Sequence, residues 1–210
     1  MTVETMALGP VSANTYIVTD DISGETAVID CGECTNELLD RLENKNVKYI
    51  LLTHGHADHI LGVYGLKQAF PQAKIVIHKD DSVCLSNEML SIAFSIAPHT
   101  QKNIEPDVIV TEGDEIILGS LVFTVMHTPG HTKGSVCYFV ESERTIFTGD
   151  TLFCLTTGRT DLFGGSDDEM YTSIKRLYEM PGEYEIYPGH NRATTMEYER
   201  RRNRYMRRFK

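Results

Sequence analysis

Residues 51–60 read LLTHGHADHI, which places His54, His56, Asp58 and His59 within six positions directly after the apolar run YILL. Burying three imidazoles and a carboxylate at the end of an apolar strand costs several kcal/mol unless each has a strong partner. A divalent metal ion is such a partner, and it constrains the whole fold, because segments distant in sequence must return to the same spot with further ligands. His54 and His56 are two apart, as on one side of an extended segment, and Asp58 and His59 lie in the turn beyond. That arrangement serves two ions rather than one.

The chain repeats this grammar three times. HTPGHT (127–132), FTGDT (147–151) and YPGH (187–190) each end an apolar strand and turn on a glycine, presenting His131, Asp150 and His190. A single His or Asp after a strand is most often a turn residue, but four such strand ends in one chain point to a shared rim. His127 points the wrong way along its strand to join them, and His78 and His99 read as surface or capping residues.

Around these motifs, NTYIVTD and TAVID read as adjacent strands, TNELLDRLENKN as a helix capped by Thr35 with Leu38, Leu39 and Leu42 on one face, and VKYILLT as the next strand. GVYGLKQAFPQ reads as a helix and loop, AKIVIH as a buried strand, and residues 80–106 as irregular and helical. DEIILG, LVFTVMHT, SVCYFV and RTIFTGD follow as four strands. SDDEMYTSIKRLYEM is a helix capped by Ser166 with acids in its first turn, and YEIYPGH one more strand. The order predicts an α/β protein of two packed sheets with helices outside, in one domain over residues 1–210.

Apolar residues make up 41% and charged residues 24% of the 210 positions, a globular composition, and no apolar run approaches the roughly 18 residues of a membrane span. The start, MTVETMALGP, has no basic segment followed by an apolar one, so a cytoplasmic location and no membrane partner are expected. Five cysteines, an odd number at irregular spacings, fit reduced thiols; the isolated C-x-x-C of Cys31 and Cys34 reads as packed or incidental thiols. Residues 192–210 hold eight basic and two acidic side chains, leaving residues 1–190 with 12 basic and 28 acidic groups, net −16. Such a body repels a polyanion. The tail, with Tyr198, Met206 and Phe209 among its arginines, reads as a basic amphipathic helix over about 194–208 that closes the fold.

The series THGHADH, HTPGHT, FTGDT and YPGH resembles the metallo-β-lactamase superfamily, and HTPGHTKGS, FTGDTLF and GRTDLFGG are most similar to short glyoxalase II-like proteins. The resemblance runs from about NTYIV to PGH. It implies an αββα four-layer sandwich of two mixed β-sheets flanked by helices. It also implies that His54, His56 and His131 hold one ion, that Asp58, His59 and His190 hold a second, and that Asp150 bridges, with Asp58 also catalytic. Asp30 and Thr53 would orient ligands, Asp30 standing in IDCG where the family usually has Asp before Pro-Gly; Cys31 replaces that proline. Arg159, in GRTD, is a candidate either to grip a substrate carboxylate or to pair with Asp161.

Two divalent ions, Zn2+ first and Fe or Mn next, make hydrolysis by metal-bound hydroxide the expected reaction. A thioester suits a site with no evident general acid, since a thiol of pKa near ~8.5 leaves unaided, and the resemblance points to S-lactoylglutathione-type small-molecule substrates. Against glutathione itself, the chain ends about twenty residues after His190, where full glyoxalase II enzymes carry a further basic helical domain. Two readings compete: a mononuclear-iron persulfide dioxygenase, whose relatives share the GRTD loop, and a nucleic-acid processing or binding protein, disfavoured by the acidic body.

Overall fold

The computed structural model describes all 210 residues. A first sheet is built from β1 (Thr2–Leu8), β2 (Ala13–Thr19), β3 (Glu25–Ile29), β4 (Asn46–Leu51), β5 (Lys74–His78) and β6 (Val108–Val110), adjacent in that order. A second contains β7 (Glu115–Leu118), β8 (Leu121–His127), β9 (Val136–Val140) and β10 (Thr145–Gly149). After a small hairpin of β11 (Leu152–Phe153) and β12 (Thr156–Thr157), β13 (Glu185–Pro188) and β14 (Thr194–Thr195) extend that sheet beyond β10. Both sheets are mixed. β3, β4, β5 and β6 run parallel, as do β10 and β13, and the remaining neighbours are antiparallel.

Parallel neighbours need a crossover. Helices α1 (Asn36–Leu42), α2 (Ala57–Ile60) and α3 (Val63–Ala69) supply it on the first sheet, while α4 (Ala93–Ile96) lies in the long β5–β6 connection. On the second sheet the crossover is α5 (Asp167–Glu179), followed after β14 by α6 (Met196–Arg202). Thr35 and Ser166 cap α1 and α5 as expected, accepting the backbone N–H groups of Leu38 and Glu169.

Alternation along each strand decides the layers. Tyr16, Val18, Ala27, Ile29, Leu51 and Val76 face inward and meet Phe123, Val125, Val136, Tyr138 and Phe147 of the second sheet. Their neighbours Ile17, Val28, Ile50 and Ile75 face outward onto Leu38, Leu42, Val63 and Leu66. Phe139, Ile146 and Ile186 likewise face Met170, Ile174 and Leu177 of α5 and Met196 of α6. The result is an αββα sandwich. No helix is long and apolar enough to cross a membrane.

The tail departs from its reading as one helix over about 194–208. α6 stops at Arg202, Asn203 turns to extended backbone, and a short 3-10 turn spans Met206–Phe209. The break has a cause: the Asn203 amide donates to Thr156 O at 3.1 Å and to Glu199 Oε2 at 2.8 Å. Glu199 lies on the inner face of α6, fully buried. Its carboxylate also accepts Leu155 N–H and the Thr194 hydroxyl, so α6 clamps the β11–β12 hairpin. Removing that carboxylate takes the acceptor from two buried donors, on Thr194 and Asn203, at roughly 1–3 kcal/mol each before relaxation, and from the part-buried Leu155 N–H. Glu199→Ala should therefore lower the melting temperature by about 5 °C or more in a thermal scan; an unchanged melt would show that the clamp contributes nothing.

Candidate metal centre

The C-terminal ends of β4, β8, β10 and β13 meet at one rim between the sheets. THGHADH leaves β4, and His56 becomes the N-cap of the one-turn helix α2, which turns Asp58 and His59 inward. The loop after β8 brings His131, the turn after β10 brings Asp150, and the turn after β13 brings His190. His54, His56, Asp58, His59, His131 and Asp150 are all under one tenth exposed.

Two clusters result. In the first, His56 Nδ1 lies 2.8 Å from His131 Nε2, and the ligating atoms of His54, His56 and His131 fall within 4.8 Å of one another. In the second, His190 Nε2 lies 3.1 Å from Asp58 Oδ2 and 3.4 Å from His59 Nε2. Asp150 stands between, Oδ2 at 3.4 Å from His131 Nε2 and Oδ1 at 3.4 Å from His59 Nε2. All seven residues named from the sequence are thus brought together.

Hydrogen bonds to the far side of each ring decide which nitrogen faces the cluster. Asp30 Oδ2 accepts the Thr53 hydroxyl at 2.7 Å and His59 Nδ1–H at 2.8 Å, while Asp30 Oδ1 accepts Thr53 N–H at 2.8 Å. The Thr53 oxygen, having donated its proton, accepts His54 Nδ1–H at 3.1 Å. His131 Nδ1–H donates to Arg159 O at 2.7 Å. His54, His59 and His131 therefore all turn Nε2 inward, the pattern that orients imidazole ligands. Asp30 holds this position with φ of 55°, a left-handed conformation sparsely used by residues other than glycine.

These groups fit metal ions. His54 Nε2, His56 Nε2 and Asp150 Oδ1 are buried without a hydrogen-bond partner, an arrangement proteins avoid unless something else satisfies the atoms. A side chain in place of Gly189 would run into Asp150 Oδ1 and His59 Cε1, so the glycine keeps the space between the clusters open. Burial, reinforced by the neighbouring imidazoles, drives His54 well below its ordinary pKa and His56 down to about 3, so both stay neutral. Burial works against a charged His59, yet Asp58, Asp30 and Asp150 outweigh it and lift its pKa to about 10. Burial likewise opposes an ionised Asp58, and His59 and His190 overcome it, holding the carboxyl below its usual range. The second cluster thus selects for positive charge, which a divalent cation supplies.

The sequence reading missed the residues that hold the loops. Buried Asp81 accepts Gly55 N–H, Gly134 N–H and the Thr132 hydroxyl at 2.7–2.8 Å, tying the His54–His56 segment to the loop of His131. Asn14 donates to Pro188 O and Asn191 O and so fixes the turn of His190. HKDD after AKIVIH has the same strand-then-acid form as the motifs above, a signal that could have found Asp81. His78, read as a surface or capping residue, is 1% exposed: β5 carries it into a face-to-face stack with His127, while His99 is exposed.

Beside the cluster opens a cavity of about 650 Å3 with Val11, Ile92, Ile96, Phe153 and Leu162 on its walls. Arg159 lines it too, and forks onto Asp161 through Nε–Oδ1 at 2.6 Å and a second nitrogen to Oδ2 at 2.7 Å. A second cavity, about 540 Å3, lies on the other side of Arg159, against Tyr205, Arg208 and Phe209.

A family model described as the metallo-beta-lactamase superfamily matches residues 8–190. An uncharacterized protein of Aquifex aeolicus is 36% identical over 95% of this chain and 94% of its own length. A hydroxyacylglutathione hydrolase of Rhodopseudomonas palustris is 35% identical over 83% of this chain, which spans 61% of that enzyme's length. Among solved structures, BLEG-1 B3 metallo-beta-lactamase superposes with a TM-score of 0.91 at 30% identity, covering 98% of this chain and 99% of its own. TTHA1623 in a di-iron-bound form gives 0.83 at 30% over 96% and 99%, and ETHE1 from Myxococcus xanthus 0.76 at 29% over 97% and 84%.

The titration of the buried imidazoles generates a pH prediction for chelator-treated protein. Below pH ~6.5 the unfolded chain binds protons that folded His54 and His56 refuse, so stability falls as pH falls, by roughly 1.4 kcal/mol per unit for each of the two. His59, whose folded pKa is raised, contributes fully below ~6.5 and loses that contribution between there and about 10. Denaturant midpoints of metal-free protein should therefore drop from pH 6.5 to 5; a flat profile would contradict the neutral burial of His54 and His56.

Proposed function

The chain belongs to the metallo-beta-lactamase superfamily, and on that premise we propose that it is a metal-dependent hydrolase of thioesters of the S-2-hydroxyacylglutathione (S-lactoylglutathione) type. His54, His56 and His131 would hold one divalent ion and Asp58, His59 and His190 a second, with Asp150 shared. Zinc suits these ligands first, iron or manganese next. Bound there, a pair of divalent ions supplies a water activated at neutral pH and Lewis-acid polarisation of a carbonyl.

The protein's own groups do the remainder. Asp58, kept ionised by His59 and His190, accepts the proton of the attacking water. Asp30 and Thr53 keep His54 and His59 in the tautomers that present Nε2. The apolar walls of Val11, Ile92 and Ile96 exclude bulk water from the reacting carbonyl, and Arg159 stands between the two cavities, placed to meet a carboxylate of the thiol carrier where it extends toward Tyr205 and Arg208.

One observation favours a thioester. Outside the seven metal-centre residues, the cavity wall offers Val11, Ile92, Ser95, Ile96, Phe153, Leu162, Asn191 and an Arg159 already forked onto Asp161, none of them a general acid at neutral pH. A thiolate departs without protonation, whereas an amine or alkoxide needs it. The relatives described as hydroxyacylglutathione hydrolases support the same reading. The GRTD loop, which resembles that of persulfide dioxygenases, keeps persulfide oxidation as the second reading, and the likeness to BLEG-1 B3 metallo-beta-lactamase makes a β-lactam the necessary comparison substrate.

Zinc- and iron-loaded protein should release thiol from S-lactoylglutathione without consuming oxygen, and much faster than it opens a β-lactam or cleaves a phosphodiester. Oxygen uptake with glutathione persulfide and silence toward every thioester would overturn the proposal. Elemental analysis of reconstituted protein should find two ions per chain, falling toward one in Asp58→Ala. That variant should lose more activity than the roughly 10–100-fold typical of a residue that only orients a ligand; full activity would remove Asp58 from the mechanism.

A further inference from the structure

A second group of ligating side chains lies outside the centre described above, at the far end of the loop that carries His131. β5 and β8 come from opposite sheets, and their last residues, His78 and His127, stack face to face with ring centroids 4.2 Å apart and planes 14° from parallel. Asp80, in the turn after β5, places Oδ2 3.7 Å from His78 Nδ1. One ligating atom from each of the three falls within 4.8 Å of the other two. His78 is buried, His127 partly so, and Asp80 is exposed to solvent.

The hydrogen bonds fix which nitrogen of each ring carries a lone pair. His127 Nε2 sits 2.7 Å from Lys133 O, a group that only accepts, so Nε2 carries the proton and Nδ1 is bare. His78 Nδ1 carries no proton, and its one lone pair accepts Asp80 N–H at 3.3 Å, a long bond that an ion would displace. Burial, with His127 alongside, keeps His78 neutral down to about pH 4, so protons do not compete for it near neutrality. Glu112, which accepts His127 N–H, adds a further carboxylate at the edge of the group.

We propose that His78, His127 and Asp80 form an additional, outer metal site for a borderline divalent ion such as Zn2+, Co2+ or Ni2+. Two imidazole nitrogens and one carboxylate are the donors such ions take, whereas Ca2+ and Mg2+ prefer all-oxygen sets. Parallel rings direct their lone pairs side by side, so capture requires a turn of the half-exposed His127 ring and a swing of the exposed Asp80. The turn gives up the stack on His78 and the bond to Lys133 O, and solvent completes the coordination. The site is therefore weaker than the buried centre. It also touches that centre indirectly: the His127–Lys133 bond closes the loop carrying His131, and Asp81, next to Asp80, ties Gly134 to Gly55.

Equilibrium dialysis of the full-length protein against zinc, with elemental analysis, tests this site by comparing variants; Asp80→Asn, which leaves the His127–Lys133 bond intact, separates the outer ion from those of the buried centre. The wild type should bind one ion more per chain than His127→Ala. Asp80→Asn, a surface change with no folding consequence, should weaken that ion at least tenfold, and His99→Ala, removing an exposed imidazole elsewhere, should leave it unchanged. Equal stoichiometry in wild type and His127→Ala, or loss of the extra ion in His99→Ala, overturns the proposal. Thermal melts of the three variants establish that each is folded before its metal content is compared.

Discussion

Imidazoles and carboxylates buried at one rim are the constraint on which the rest of this structure depends. His54, His56, His59 and His131 cannot all be charged so close together, nor can Asp58 and Asp150 stay ionised there without compensation. The tertiary structure resolves the conflict by separating roles. In one cluster His54 and His56 are held neutral by burial, the other gathers carboxylates around His59, and Asp150 reaches both. Such an arrangement is costly as protein alone and favourable around divalent cations.

Holding that arrangement requires few but well-placed polar residues between the sheets and beneath the loops. Asp30 makes three hydrogen bonds from a left-handed backbone position, Asp81 three more across two ligand loops, and Asn14 two to the turn of His190. Asp30 and Asp81 satisfy N–H and hydroxyl groups, and Asn14 satisfies carbonyl oxygens, that would otherwise lack a partner. The C-terminal segment has the same kind of role through Glu199. Its arginines serve structure too, since Arg200 donates to the carbonyls of Tyr178 in the last turn of α5 and of Met180 and Gly182 just beyond it. The basic stretch thus fastens itself to an acidic body through its backbone contacts as well as its charge.

Arg159 illustrates how two readings of one residue merge. Its guanidinium pairs with Asp161, its carbonyl oxygen orients His131, and its side chain stands between two cavities. An exposed pair of this kind contributes little to stability, so its position at the wall matters more than its energy.

Strand periodicity, the Thr35 and Ser166 caps, the two-sheet arrangement and all seven centre residues were legible in the sequence because each follows from local rules: alternation of two, a capping hydroxyl, a glycine turn after an apolar strand. Short pieces such as β6, β11, β12 and β14 were not, since two or three residues carry no period. Nor was the break after Arg202, which depends on Asn203 finding Thr156 O, a partner 47 positions away. The sequence alone determined which side chains could bind metal and that they sit at strand ends. Only the tertiary structure decided how they are grouped, which nitrogen each ring turns inward, and that His78 is buried against His127. Those choices depend on register between strands far apart in the chain and on acceptors such as Arg159 O and the Asp30 carboxylate oxygens, whose effect exists only once the sheets have closed over them.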